Sequence, residues 1–183
     1  MKIETFEKTI DVPTYIEEYV NVEEFLECCK VCGNYDRKWS CPSYDFDPVE
    51  DYWKQFDTLH VVGKKMILAE EEKDDWENLM TGVKKALTAE LFAAEERQPG
   101  SRSLSAGSCH ICGEDNCSKP LGQPCRFPEK MRYSVESLGG NVGLTASKLL
   151  GINLQWIEEG KVPDYFVLVG GLLCKGEYNG NEA

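Results

Sequence analysis

The sequence predicts an α+β fold in which a small, mainly antiparallel sheet is packed by helices and carries two cysteine-rich loops. Three observations predict this class: strand and helix patterns do not alternate strictly, one long amphipathic helix lies in the middle of the chain, and eight of the nine cysteines fall in two turn-rich segments. At 183 residues the chain has room for one domain with a sizeable core. We therefore expect residues 1–183 to form a single domain.

The first part of the chain is predicted to contain two strands and two helices. Residues 2–12 include an alternating apolar and polar stretch, which is typical of a strand, and residues 14–26 place apolar side chains at helical spacing. Residues 28–48 contain the first cysteine loop, in which glycine, asparagine and proline interrupt regular structure. A short helix over 49–56 and an apolar strand over 58–69 are expected to follow.

A long amphipathic helix over residues 74–97 is the strongest prediction for the second part of the chain. Its apolar face consists of Trp76, Leu79, Met80, Val83, Leu87 and Leu91. Pro99 and Gly100 end this helix, and the second cysteine loop follows at residues 101–128. Two short helices and two strands complete the prediction, at residues 131–138, 144–150, 153–157 and 165–173.

The charge and hydropathy of the chain argue against two classes of partner. The formal net charge is −12, which disfavours binding to nucleic acids or to anionic membrane surfaces. No run of residues approaches the roughly 18 apolar residues of a membrane span, and the first residues lack the apolar segment of a secretion signal. We therefore expect a cytoplasmic protein whose nine cysteines are reduced, because disulfides are rarely maintained in that compartment.

The densest cysteine group lies in the second loop, where Cys109, Cys112, Cys117 and Cys125 are separated by two, four and seven residues. The surrounding segment is rich in glycine and proline and lacks the apolar periodicity that would bury four cysteines in a core. We therefore interpret them as ligands of a metal ion or an iron–sulfur cluster. Structural zinc sites usually consist of two short-gap pairs, whereas this spacing favours a four-iron (4Fe–4S) cluster, with zinc as the alternative.

A second group of cysteines lies in the first loop. Cys29 and Cys32 form a pair with a two-residue gap, and Cys41 precedes Pro42 in the way that ferredoxin loops place a proline beside a cluster ligand. These three cysteines are predicted to bind a second metal centre. Cys28 adjoins Cys29, and adjacent cysteines rarely bind the same metal comfortably. Two alternatives therefore stay open: Cys28 is the fourth ligand, or one coordination position is left to water or substrate.

Several short motifs, taken in order, resemble those of a known protein family. They are Cys32-Gly-Asn-Tyr35, Trp39-Ser-Cys41-Pro42, Ala106-Gly-Ser-Cys109-His-Ile-Cys112, Cys125-Arg-Phe-Pro128 and Arg132-Tyr-Ser-Val-Glu136-Ser-Leu-Gly139. Together they resemble domain of unknown function 2284, a family of predicted metal-binding proteins. The chain departs from the family pattern at Ser43, where members typically carry a second proline. The resemblance implies binding of a metal or an iron–sulfur cluster, and it implies no particular reaction.

These observations lead to one main hypothesis about function and two alternatives. The main hypothesis is a 4Fe–4S protein that exchanges electrons with a redox partner protein. The first alternative is a metalloenzyme in which the N-terminal cysteine loop leaves a coordination position for a small ligand. The second alternative is a zinc-stabilised interaction module without a redox role. No acid–base pair or activated nucleophile is recognisable in the sequence, so we assign no catalytic residue.

Overall fold

The computed structural model describes residues 1–113 and 115–180, and within them four strands form one antiparallel sheet. The strands are β1 (Lys2–Asp11), β2 (Thr58–Ile67), β3 (Arg102–Leu104) and β4 (Tyr165–Cys174), and their spatial order is β1-β2-β4-β3. The helices are α1 (Val12–Tyr19), α2 (Val22–Lys30), α3 (Trp76–Arg97) and the short α4 (Val142–Leu144). Other helical turns lie at Pro48–Tyr52, Trp53–Gln55, Glu70–Asp75, Lys119–Leu121, Glu136–Leu138 and Thr145–Leu149. The predicted α+β class is therefore confirmed.

The central strand β2 has an antiparallel neighbour on each side along its whole length. Ile67 at the end of β2 lies between Lys2 of β1 and Tyr165 of β4, and Thr58 lies between Asp11 and Cys174. β2 is buried over most of its residues, whereas the edge strand β1 exposes most of its side chains. The sequences agree with these positions, because β2 contains an apolar run while β1 has only Ile3, Phe6 and Ile10 among charged and polar residues.

Helix α3 covers one face of the sheet. The buried residues of its inner side are Val83, Leu87 and Leu91, as the apolar spacing predicted. Gly170 of β4 allows the helix to approach closely, because a Cβ atom there would lie 2.9 Å from both the carbonyl oxygen of Leu104 and Cδ1 of Leu91. Trp76 and Leu79, near the start of the helix, are only partly buried. The helix is therefore anchored mainly by its central turns.

The opposite face of the sheet is covered by α1, by the turn that contains Trp53 and by the segment that follows the second cysteine loop. The hydroxyl groups of Tyr15 and Thr145 lie 2.7 Å apart in a hydrogen bond. Trp53 donates its indole N–H to the carbonyl of Leu138 at 2.9 Å. All four residues are fully buried, so each polar group has its partner inside the core. These contacts fix the chain around Leu138, which borders the site described below.

The first cysteine loop begins later than the sequence predicted. The helix expected over 14–26 is two helices, because the side chain of Asn21 caps α2 and interrupts the apolar pattern. Helix α2 then continues to Lys30, so Cys28 and Cys29 lie on its last turns and not in a loop over 28–48. The prediction that all four cysteines of this group lie in a loop was therefore wrong.

The second half of the chain also differs from the prediction. The loop expected over 101–128 begins with β3, and the helix expected over 131–138 is reduced to the turn Glu136–Leu138. Residues 153–157 are described by the structure and do not form a strand. In the described part of the chain, no helix combines the length and the apolar character that a membrane span requires.

Candidate metal centre

The four cysteines of the second loop line one pocket, which we call the C-terminal pocket. They are Cys109, Cys112, Cys117 and Cys125, and each is partly buried. Its other walls include Ile111, Phe127 and Met131, together with Lys38, Trp39 and Ser40 from the first cysteine loop. The structure thus brings the four predicted ligands to one place, under a cover of mainly apolar side chains that restricts the access of solvent.

Two hydrogen bonds hold the third and fourth cysteines of this pocket side by side. The hydroxyl of Ser118 donates to the carbonyl of Pro124 at 2.7 Å. The guanidinium of Arg126 donates to the carbonyl of Asn116 at 2.6 Å. Each bond joins a residue next to the third cysteine to a residue next to the fourth. The chain between them turns at Gly122, whose φ of 64° is a conformation that glycine adopts without strain.

The first cysteine loop docks directly on the second. Trp39 donates its indole N–H to the carbonyl of Gln123 at 3.2 Å. Lys119 of the second loop donates to the carbonyl of Cys41 at 3.1 Å and forms a salt bridge of 3.1 Å with Asp36. These contacts involve backbone groups on both loops, so they fix the positions of the cysteines and not merely those of surface side chains.

Three cysteines of the first group line a second, larger pocket, which we call the N-terminal pocket. They are Cys29, at the end of α2, with Cys32 and Cys41. The other residues around this pocket are Asn34, Tyr35, Pro42, Gly107, Ser108, Ser134, Glu136 and Ser137. Cys28 is exposed and is not among them. Since successive residues on a helix point in different directions, α2 turns Cys28 away from the pocket that Cys29 faces.

Ser40 connects the two groups of cysteines. Its side chain is fully buried, and its hydroxyl oxygen accepts a hydrogen bond of 2.9 Å from the backbone N–H of Cys109. The same oxygen lies 3.8 Å from the sulfur of Cys41. One hydroxyl group therefore contacts a candidate ligand from each pocket, and the two pockets are close neighbours.

Burial keeps several of these thiols protonated. It raises the pKa of Cys29 to about 11, and the charges of Cys41 and Glu136 act in the same direction. Burial also raises the pKa of Cys41 and that of Cys125. Because the thiolate is the form that binds metals, a metal ion must displace these protons as it binds.

Glu136 is a candidate site residue that the sequence analysis did not assign. Glu136 lines the N-terminal pocket, and burial raises the pKa of its carboxyl group. Hydrogen bonds from its own backbone N–H and from Ser134, with the charge of Lys84, act in the opposite direction. A Cβ atom on Gly107 would lie 3.8 Å from Oε1 of Glu136 and 3.6 Å from Nζ of Lys84. The signal in the sequence was the last family motif, which contains Glu136 but indicates no role for its carboxylate.

Two lysine side chains lie beside the pockets, where both contact Ser108. Lys84 of α3 donates to the carbonyl of Ser108 at 2.5 Å, and Lys38 donates to the hydroxyl of the same serine at 3.4 Å. Burial lowers the pKa of Lys84, and the positive charge of Lys38 adds to this effect. Cationic groups beside clustered thiolates offset part of their mutual repulsion, so their position suits sites that concentrate negative charge.

Thiolate sulfur is a suitable metal ligand, and the thiol groups lie together in two pockets. Within residues 1–113 and 115–180, no three His, Cys, Asp or Glu side chains stand in position to hold a metal ion. Coordination by the seven pocket cysteines therefore stays a prediction. His110, between two of them, lines a separate small pocket beside Phe92, and its Nδ1 is buried without a hydrogen-bond partner in the described part of the chain.

Comparison with known proteins identifies a family to which the chain is similar. The family described as predicted metal-binding protein, domain of unknown function 2284, matches residues 15–174. The matched range includes both pockets and Glu136. No curated protein and no solved structure matches the chain.

Proposed function

The chain belongs to domain of unknown function 2284, a family of predicted metal-binding proteins, and from this premise we propose that it is a cytoplasmic iron–sulfur protein. Each cysteine pocket holds a 4Fe–4S cluster, and the protein exchanges electrons with a redox partner protein. When bound, a cluster of this type supplies one-electron transfer at a potential set by its surroundings. The chain itself contributes the thiolate ligands, the charges near them and the exclusion of water.

The observation that carries this proposal is the contact between the two thiol-lined pockets through Ser40. A structural zinc site usually takes its ligands from two short-gap pairs, which the cysteines of the C-terminal pocket do not form. Two neighbouring groups of thiols, one of them including a cysteine followed by proline, are typical of ferredoxins with two clusters. The arrangement therefore favours redox clusters over structural zinc.

The walls of the C-terminal pocket suit this role. Trp39, Ile111 and Phe127 surround the thiols with apolar surface, which lowers the local dielectric constant and limits access of water. The buried lysines beside the pockets stabilise added negative charge. Phe127 is 40% exposed, so the C-terminal pocket lies close to the protein surface, where a partner protein can approach it.

Anaerobic purification followed by reconstitution with iron and sulfide tests the proposal. We expect about eight iron and eight sulfide per chain, the content of two four-iron clusters, with the broad visible absorption of iron–sulfur centres. Cys109→Ser should remove about half of both. Cys174→Ser is the control, because Cys174 is buried at the end of β4 and lines neither pocket. Stoichiometric zinc without sulfide in the purified protein would contradict the proposal and support the zinc module.

The metalloenzyme remains the second candidate, and one observation favours it. The N-terminal pocket is the larger of the two and has three cysteines around it, with Cys28 exposed outside it. Separate variants Cys28→Ser and Cys41→Ser distinguish the possibilities through iron content after reconstitution. Loss of iron in the Cys41 variant alone supports a site with three cysteine ligands, and loss in both supports closure by Cys28.

A further inference from the structure

We propose that Glu136 is the fourth protein ligand of the N-terminal centre, which gives this centre three thiolates and one carboxylate. This inference rests on the proposed binding of a metal at the N-terminal pocket, and it names the residue that completes the site. Carboxylate oxygen and thiolate sulfur are both common ligands of iron and zinc in proteins, so the set is chemically consistent with either metal.

The backbone around Glu136 is fixed on both sides. The N–H of Ser134 donates to the hydroxyl of Ser137 at 3.0 Å, and the N–H of Ser137 donates to the hydroxyl of Ser134 at 3.3 Å. Val135 and Leu138, on either side of Glu136 and its neighbour, are fully buried in the core. The turn therefore fixes the backbone of Glu136 beside the pocket that Cys29, Cys32 and Cys41 also line.

The carboxyl group of Glu136 is partly compensated within the described residues, because hydrogen bonds from its own backbone N–H and from Ser134, together with the charge of Lys84, favour its ionised form. Glu136 is partly buried, and a carboxylate that is withdrawn from water is stabilised by a nearby cation. No salt bridge within 4.0 Å of Glu136 is formed by the part of the chain that the structure describes. Lys84 attracts the carboxylate but donates its hydrogen bond to the carbonyl of Ser108. A metal cation among the three thiols adds a direct ionic partner to these contacts.

Cys28 is the alternative fourth ligand, and its position is less suitable. Cys28 is exposed on α2, whereas Glu136 lines the pocket. To enter the pocket, Cys28 would have to rotate about the helix axis or unwind the last turn of α2, which Cys29 also occupies. The ligand already at the pocket wall requires no such rearrangement.

A carboxylate ligand makes the two centres chemically different. Oxygen is a harder ligand than thiolate sulfur and binds iron of a cluster less tightly, so the iron bound by Glu136 exchanges its ligand more readily. The C-terminal pocket has four thiols and no carboxylate among its lining residues. We therefore expect added thiols or other small ligands to affect the N-terminal centre alone.

Substitution of Glu136 tests this assignment through metal content and electron paramagnetic resonance. After anaerobic reconstitution, Glu136→Gln should lose about one of roughly eight irons and show the signal of a three-iron cluster. Glu136→Cys should keep the full iron content and shift the signal of the N-terminal centre, because a thiolate replaces the carboxylate. Cys28→Ser is the control and should leave both iron content and signal unchanged. Thermal unfolding of the metal-free variants verifies that each one folds.

The opposite pattern would overturn the assignment. If Glu136→Gln keeps its iron and its spectrum while Cys28→Ser loses an iron, Cys28 is the ligand. If the wild-type protein binds zinc without sulfide, the proposed iron–sulfur function fails, yet the assignment of Glu136 is still tested. In that case Glu136→Gln should bind zinc at least tenfold more weakly at one site, and unchanged zinc binding would reject the carboxylate ligand.

Discussion

The C-terminal and N-terminal pockets are assembled from the chain in different ways. The four cysteines of the C-terminal pocket lie within residues 109–125, and hydrogen bonds inside that loop hold them together. The N-terminal pocket combines the end of α2, residues 32–42, residues 107–108 and the segment 134–137. A site closed by local contacts forms at a small cost in chain entropy, whereas a site built from four distant segments requires the folded domain. We therefore expect loss of tertiary structure to affect the N-terminal pocket first.

The largest effect on the relative stability of the two pockets is expected from a cavity in the core beneath α3. Leu87→Ala removes a fully buried side chain, and it should lower the free energy of unfolding by about 2–5 kcal/mol. In a urea titration of the metal-loaded variant, the signal of the N-terminal centre should disappear at a lower concentration than that of the C-terminal centre. Leu121→Ala, at a residue that is 65% exposed, is the control and should change stability by less than about 0.5 kcal/mol. Simultaneous loss of both signals would mean that the pockets do not differ in this way.

The second effect concerns residues 131–137, in which Met131 lines the C-terminal pocket while Ser134, Glu136 and Ser137 line the N-terminal pocket. Arg132 lies in this segment and is held by Glu95 of α3 through hydrogen bonds of 2.6 and 2.9 Å. Burial acts to raise the pKa of Glu95, but hydrogen bonds from Arg132 and Ser103 outweigh it and lower that pKa below the ordinary value of 4.5. The ionised carboxylate therefore stabilises the fold above pH 4.5, and this stabilisation is lost as the pH falls through the lower pKa of the folded state.

Glu95→Gln tests this ion pair. At pH 7 the free energy of unfolding should fall by about 1.5–3 kcal/mol, because a charged hydrogen-bond pair is lost, and both centres should release metal more easily. Thermal unfolding measured between neutral and acidic pH should show a weaker dependence on acid than in the wild type. Glu90→Gln is the matched control, because Glu90 pairs with Lys64 at a more exposed position and should contribute less than about 1 kcal/mol. An equal effect of the two variants would argue against a special role of Arg132.

A smaller effect is expected at the contact between the pockets. Ser40→Ala leaves the backbone N–H of Cys109 without its partner, so stability should fall by about 1–3 kcal/mol. Electron paramagnetic resonance should show altered signals from both centres, because Ser40 touches a candidate ligand of each. Ser147→Ala, which removes an exposed hydroxyl on another turn, is the control. A change confined to one centre would mean that Ser40 supports a single pocket.

The smallest effect should be confined to one of the two pockets. Ser118→Ala removes the hydrogen bond to Pro124 inside the second loop, which is worth about 0.5–1.5 kcal/mol, and also a longer one of 3.3 Å from the indole N–H of Trp39. Release of iron to a chelator should become faster at the C-terminal centre and stay unchanged at the N-terminal centre. Faster release from the N-terminal centre as well would show that the second loop supports both.

The sequence predicted best those features that depend on local patterns. The class of the fold, the long strands and α3 follow from apolar periodicity, and the structure contains them close to the expected bounds. Cys109 and Cys125 line one pocket, because the loop between them is short and closed by its own hydrogen bonds, whereas their binding of one metal centre stays a prediction.

Features that depend on distant contacts were not predicted. Residues 131–138 have the composition of a helix, but reciprocal hydrogen bonds between Ser134 and Ser137 form a tight turn instead. β3 has three residues, too few for a visible alternation, and is defined by its pairing with β4. Glu136 reaches the N-terminal pocket through the packing of this turn against the core, and the spacing of residues along the chain carries no information about that contact.

Ser40 also couples the two pockets electrostatically. A hydroxyl group carries a single hydrogen, and while its oxygen accepts from the N–H of Cys109, that hydrogen is free to point at the sulfur of Cys41. Consecutive hydrogen bonds polarise one another, more strongly in an interior of low dielectric constant. Negative charge gained by the sulfur of Cys41 therefore makes the oxygen of Ser40 a better acceptor and draws the N–H dipole of Cys109 towards it. A change of charge in one pocket thereby alters the hydrogen bonding of a cysteine in the other through the side chain of Ser40, without a movement of the backbone.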